Sequence, residues 1–157
     1  MKNIIVACDF SSEDEAIETI EQLKDEIFGI KVGLQYVTST GTEGIKSLLK
    51  FNLPIMYDIK ALDIRNTVVE FTKTLKNLKV SYATVHLLNG EETLKEAVKH
   101  AGNVKLIGIS VLTSFSDETL QKLGFSNNVE KQVERLVKIA SAAGLYGIVC
   151  SPKEVRM

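Results

Sequence analysis

Six times along the chain, a short apolar run leads into a segment of helical or turn character, and this repetition limits the possible folds more than any other feature. The apolar runs are Asn3 to Asp9, Phe28 to Gly33, Leu53 to Lys60, Tyr82 to Leu87, Lys105 to Leu112 and Leu145 to Ser151. Continuous rather than alternating hydrophobicity is expected of strands buried on both faces, the condition of parallel sheets. Between them, apolar residues recur at helical spacing, as at Ala16, Ile17, Ile20, Leu23 and Ile27. Ser11 or Ser12 can cap this first helix, with acids crowding its first turn. Gly33 and the polar residues after it read as a loop. Further helices are predicted over Gly44 to Lys50, Asn66 to Leu78, Glu91 to Ala101, Ser116 to Leu123 and Asn128 to Ala143. Gly102, Gly124 and Gly144 stand where helices stop.

Successive βα units imply an all-parallel sheet with helical crossovers. Two closures satisfy that pattern, an open doubly wound sheet and a (β/α)8 barrel. After the first strand stands Asp9-Phe10-Ser11-Ser12 rather than a glycine-rich phosphate fingerprint. Polar residues gather at the C-terminal ends of several strands: Asp9, Lys31, Asp58, Lys60, His86, Thr113, Ser114 and Ser151. Those ends meet at one mouth in a barrel, so the distribution favours a barrel. The 157 residues suffice for one domain with a real core, and no linker or charge block divides them. A net charge of −1 gives no basic field for nucleic acid or an anionic membrane. The first apolar run is too short for a signal peptide, and no later run is long enough to span a bilayer. Cys8 and Cys150 offer neither a metal spacing nor a disulfide framework and read as buried free thiols of a cytoplasmic protein.

The third strand carries the most specific chemistry. Asp58 and Lys60 are two residues apart, so both face the same side of a strand, and Asp63 follows in the loop before a helix. Charge buried without a partner is costly, so this acid and amine form either a structural ion pair or a site. With neighbouring strands in a barrel, Lys31 can reach Asp58, giving an alternating set of Lys31, Asp58, Lys60 and Asp63 in which every group has an opposite neighbour.

The stretch Asp58-Ile59-Lys60-Ala61-Leu62-Asp63-Ile64-Arg65-Asn66-Thr67 resembles the D-x-K-x-x-D-I-x-N-T signature of the orotidine 5′-phosphate decarboxylase family. Val6-Ala7-Cys8-Asp9, Ile30-Lys31-Val32-Gly33, Thr84-Val85-His86, Val111-Leu112-Thr113-Ser114 and Val149-Cys150-Ser151 agree in order and spacing, so the resemblance runs the length of the chain. The D-x-K-x-x-D core is shared with related sugar-phosphate decarboxylases and aldolases; the Ile-x-Asn-Thr extension narrows it. Arg65 stands where the family usually has proline, and Leu62 where it often has histidine.

The resemblance implies a cofactor-free decarboxylase with no metal, in which Asp58 lies beside the substrate carboxylate, Lys60 donates the proton, and Lys31 orients Asp58 and reaches the ribose. It implies substrate contacts from Asp9, Lys31, Ile64, Thr67, Thr113 and Ser114. It also implies a cytoplasmic homodimer in which Asp63 and Thr67 enter the neighbouring subunit's site. The family completes eight strands, the last two bringing a phosphate-gripping glycine and arginine. The sequence supplies six, so a barrel truncated after strand six is expected, from either a fragment of the gene product or a shortened one; were these 157 residues the entire protein, weak grip on a nucleotide phosphate would follow.

Blander roles compete at several positions. Asp9 can equally cap the loop before the first helix, and Thr113 and Ser114 can equally be turn residues. His86 reads first as a satisfied structural histidine. For the whole chain, the alternatives are a Mg²⁺-dependent enzyme of the same superfamily acting on a 3-keto sugar phosphate, and a non-catalytic remnant whose dimer surface is its working part.

Overall fold

The computed structural model describes residues 2–126 and 128–155. Its six strands are β1 (Ile5–Ala7), β2 (Gly29–Gly33), β3 (Ile55–Ala61), β4 (Tyr82–His86), β5 (Lys105–Ile109) and β6 (Gly147–Val149). They form one parallel sheet in the order β1-β2-β3-β4-β5-β6. A doubly wound sheet reverses its strand order at a switch point, whereas a barrel adds each strand beside the last. The strictly sequential order is therefore that of a curled half-barrel in the α/β class.

The crossovers are α1 (Glu13–Leu23), α2 (Leu34–Leu48), α3 (Arg65–Leu78), α4 (Glu91–His100), α5 (Asp117–Lys122) and α6 (Val129–Ala143). Sequence chemistry explains their ends. Ser116 and Asn128 accept hydrogen bonds from the Thr119 and Lys131 amides at the starts of α5 and α6. Gly144 closes α6 at φ 75°, the left-handed conformation in which glycine carries no Cβ penalty. Asp117 at the start of α5 also accepts from the Val129 amide at 2.8 Å, joining the two helices.

The segment after Gly33 is not the loop that its polar residues suggest. It forms α2, which is two helical pieces meeting at Gly41, where φ is 65° and ψ −163°. Fully buried Tyr36 explains why both pieces persist. Its hydroxyl donates to the Gly44 carbonyl at 3.0 Å, clamping one piece to the other across the kink.

The core lies between sheet and helices, with Ile20, Ile30, Val32, Leu48, Leu75 and Leu94 fully buried. Each such side chain contributes about 1.5–3 kcal/mol through removal from water. The outer strands depart from the expected two-faced burial. Ile5 on β1 and Val149 on β6 are exposed, because each lies on an edge strand with a neighbour on one side only. Cys8 is buried as expected, but Cys150 is half-buried beyond the β6 edge.

Candidate active site

The C-terminal ends of β1 to β4 bring charged residues to one place. Asp58 is the centre, only 7% exposed. Its Oδ2 lies 2.9 Å from Lys60 Nζ and 3.4 Å from Lys31 Nζ. Lys31 Nζ is also 3.7 Å from Asp9 Oδ1. The other carboxylate oxygen, Asp58 Oδ1, accepts a hydrogen bond from Thr84 Oγ1 at 2.9 Å. The alternating chain within one subunit is thus Asp9, Lys31, Asp58, Lys60.

Close approach of β1, β2 and β3 permits this cluster. Gly33 pairs with Asp58 in the parallel ladder. A Cβ on Gly33 would lie 3.3 Å from Asp9 Oδ1 and 4.0 Å from Lys31 Nζ, so any side chain there would compete with the charged groups for space. Burial alone favours the neutral acid and would raise the pKa of Asp58. Hydrogen bonds from Lys60 and Thr84, with the positive charges of Lys60 and Lys31, outweigh burial and hold the carboxyl below its ordinary range. Asp58 is therefore a carboxylate at neutral pH.

Lys60 has an unusual backbone. Its φ is 52°, in the left-handed region, where a lysine carries a steric penalty. The β3–β4 ladder is irregular at the same point: Tyr57 pairs with Ala83 and Ala61 with Val85, so residues 58 to 60 oppose Thr84 alone. The bulge takes Lys60 out of regular pairing, and its amide donates instead to Thr84 Oγ1 at 2.9 Å. Bulges of this kind re-aim side chains next to sites.

Asp63 does not join the cluster in this chain. Its Oδ1 accepts from the Ile64 amide at 2.7 Å, and among the described residues it forms no ion pair. Ile64 is the N-cap of α3 and is 73% exposed. Thr67, in the first turn of α3, is exposed too. These three residues face away from their own core, with exposed Leu62 and Leu88 nearby in sequence or on the adjoining strand end. Thr113 and Ser114 are exposed in the β5–α5 connection, and neither side chain makes a hydrogen bond among the described residues. Beside that connection, a cavity of about 360 Å³ is lined largely by Leu62, Leu88, Val111, Leu112, Phe115 and Leu123. His86 adjoins it and keeps a structural part: its Nδ1 accepts from the Leu88 amide at 3.2 Å, and burial lowers its pKa.

Two residues of the site were given no role from the sequence. Thr84 is wholly buried and bonds both Asp58 and Lys60. Asn89 donates to the carbonyls of Ala61 and His86, each at 2.8 Å, and accepts from the Asp63 amide at 3.2 Å. It thereby ties the loop carrying Asp63 to the end of β4. Its sequence signal was slight, an Asn before Gly90 at a strand end. Among the described residues, no group of three or more His, Cys, Asp or Glu could hold a metal ion, and no helix is long and apolar enough to cross a membrane.

Known proteins resemble this chain in sequence and fold. A relative from Wolbachia pipientis subsp. Culex pipiens (strain wPip), named orotidine 5′-phosphate decarboxylase, is 38% identical over 158 residues, covering 99% of this chain and 70% of that protein. The crystal structure of orotidine 5′-phosphate decarboxylase from Lactobacillus acidophilus superposes with a TM-score of 0.90 at 32% identity, covering 99% of this chain and 74% of that one. That of orotidine 5′-monophosphate decarboxylase from Methanocaldococcus jannaschii, complexed with the inhibitor BMP, gives 0.80 at 28% identity, covering 98% and 71%. The family model described as orotidine 5′-phosphate decarboxylase / HUMPS matches residues 2–157, and with the relatives' identity and coverage it shows that the chain belongs to this family.

Proposed function

We propose that this chain carries the site of an orotidine 5′-phosphate decarboxylase, which converts orotidine 5′-monophosphate to UMP and CO2 in pyrimidine synthesis and works as a cytoplasmic homodimer. The observation that supports it most is the carboxylate of Asp58, buried yet charged, held between the ammonium groups of Lys31 and Lys60 at the strand ends. The names of relatives at 34–38% identity agree with this reading.

In this reading, the substrate's carboxylate enters beside Asp58. Two like charges in a low-dielectric site raise the bound ground state, and loss of CO2 relieves the repulsion. The electron pair left on the pyrimidine C6 is an anion, and the Lys60 ammonium stabilises it and then transfers a proton to it. Lys31 is ion-paired with both Asp58 and Asp9, so it keeps Asp58 aimed while its ammonium can donate to a ribose hydroxyl. Asp9 accepts from the ribose, and Thr113 and Ser114 border the pyrimidine. Asp63, Ile64 and Thr67 lie exposed on their own subunit and meet substrate in the neighbouring one. No metal or organic cofactor takes part, because the acid that would bind a cation already has two.

Turnover is read from the change in absorbance of orotidine 5′-monophosphate. Made in a version of the protein with all eight strands, Lys60→Ala should lower kcat by about a hundredfold or more, with a smaller effect on KM. Turnover of the variant within tenfold of its parent would defeat the assignment. Insensitivity to Mg²⁺ and EDTA separates this reaction from metal-dependent sugar-phosphate chemistry on the same scaffold.

A further inference from the structure

Thr84 is an unexplained expense in the sheet unless its hydroxyl has work to do. It is fully buried at the middle of β4, a place where an apolar β-branched residue would pack as well. Opposite it, β3 bulges, and the residues on either side of the bulge return to regular pairing. The hydroxyl fills the gap. It accepts from the Lys60 amide at 2.9 Å and donates to Asp58 Oδ1 at 2.9 Å.

These two bonds have a fixed polarity. A backbone N–H can only donate, so one lone pair of Thr84 Oγ1 accepts from Lys60. The hydroxyl proton goes to Asp58 Oδ1, because an ionised carboxylate can only accept. A carboxylate, which can only accept, suits this polarity, and Lys60 meets it in its left-handed conformation. One side chain thus ties the direction of the acid to the backbone twist that aims the amine. The charged groups facing Asp58 are Lys60 on its own strand and Lys31 on β2, with Asp9 behind Lys31. Both lysines bind Oδ2, so Thr84 is the partner that fixes Oδ1 and prevents rotation of the carboxylate about its bond.

We propose that Thr84 is a positioning residue of the site, its hydroxyl holding the Lys60 backbone in the bulge and locking the Asp58 carboxylate in the plane that both lysines need. The catalytic part of this statement rests on the decarboxylase reading; the positioning part does not.

The test uses the full chain and the variants Thr84→Val, which keeps the shape without the hydroxyl, and Thr84→Ser, which keeps the hydroxyl. Carbon NMR follows titration of the Asp58 carboxyl, and hydrogen exchange follows the Lys60 amide. In Thr84→Val, Asp58 should titrate about one pH unit higher and the Lys60 amide should exchange about tenfold faster, with the Ala83 and Val85 amides unchanged. Thr84→Ser should restore both. In the turnover assay, Thr84→Val should lower kcat about tenfold or more with KM nearly constant, and Thr84→Ser should recover it. Parental titration and exchange in Thr84→Val would overturn the proposal, as would failure of Thr84→Ser to restore them. Where Thr84→Val does not fold, Thr84→Ala is read in the same way, and loss of fold in both makes the hydroxyl a requirement of the sheet and overturns the proposal too. Absence of turnover in a parent extended to all eight strands defeats the decarboxylase reading alone, since the two NMR measurements need no substrate.

Discussion

Lys31 and Lys60 lean on the same atom: their Nζ groups lie 3.4 Å and 2.9 Å from Asp58 Oδ2. Two ammonium groups brought this close repel each other unless the anion stays between them. Asp58→Asn keeps the shape and removes that anion. The lysine side chains are 26% and 39% exposed, so water screens part of the repulsion. The loss of stability is therefore expected at about 1–2 kcal/mol, below that for breaking a fully buried pair, and urea unfolding measures it. Decarboxylation should be lost as well.

The same carboxylate sets an acid limit. Its folded pKa lies below the ordinary value despite burial, because Lys60, Thr84 and Lys31 favour the charged form. A depressed carboxyl pKa contributes stability that is fully present above the unfolded value of about 3.9 and is lost as pH falls through the folded value. The stability gap between parent and Asp58→Asn should thus be constant at neutral pH and narrow below about pH 4. Unfolding curves taken across that range check the sign; a gap that widens on acidification contradicts it.

The backbone of Lys60 yields a prediction separable from its side chain. At φ 52°, alanine keeps the Cβ penalty and glycine removes it. Both variants lose the ammonium. Lys60→Gly should nevertheless be more stable than Lys60→Ala by about 1 kcal/mol, the reverse of the order in ordinary strand positions. Thermal unfolding of the pair reads this difference directly.

These relationships mark how far the sequence can be read. The strand order follows from repeated βα units, and the meeting of Asp58 with Lys60 from their spacing. Lys31 was reachable because adjacent strands align their ends. The bulge at residues 58 to 60 was not legible, since nothing in Asp-Ile-Lys departs from strand chemistry, and Thr84 reads as an ordinary β-branched strand residue 26 positions from its partner Asp58. The helix from Leu34 was hidden by Thr, Ser and Gly, residues of low helix propensity, which Tyr36 overrides by the hydrogen bond from its hydroxyl to the Gly44 carbonyl. Asp63 was expected to complete an alternating set; within the subunit it stands apart, and Asp9 extends the set at the Lys31 end instead. Sequence spacing shows which groups can meet, but a pairing across strands needs coordinates.

The cysteines should differ in reactivity. Cys8 is wholly buried, and its pKa is pushed up to about 11 by burial first and the neighbouring Asp9 second. Cys150 is half-buried, and burial and Glu154 raise its pKa less. Thiolate is the reactive species, so exposure decides between two weakly ionised thiols. Iodoacetamide at pH 8 should modify Cys150 at least about tenfold faster than Cys8 in the folded protein, and urea should abolish the difference. Mass mapping of the alkylated peptides measures both rates.

The final prediction concerns the missing partner of Asp63. Lys31, Asp58 and Lys60 form one cluster, while Asp63 stands apart, its carboxylate bonded only to the Ile64 amide among the described residues. Asn89 holds the backbone of this loop, and the Ile64 amide holds the Asp63 carboxylate. If each site of the proposed homodimer takes Lys60 from one subunit and Asp63 from the other, Lys60→Ala and Asp63→Ala subunits are inactive alone and complement each other. A hybrid dimer has one site with both residues intact and one with neither. Random exchange makes about half of the dimers hybrid, so recovery should approach about one quarter of parental turnover. The measurement is activity after unfolding the two variants together and refolding them, with mass spectrometry to establish exchange. Proven hybrids without activity would place Asp63 outside the neighbouring site.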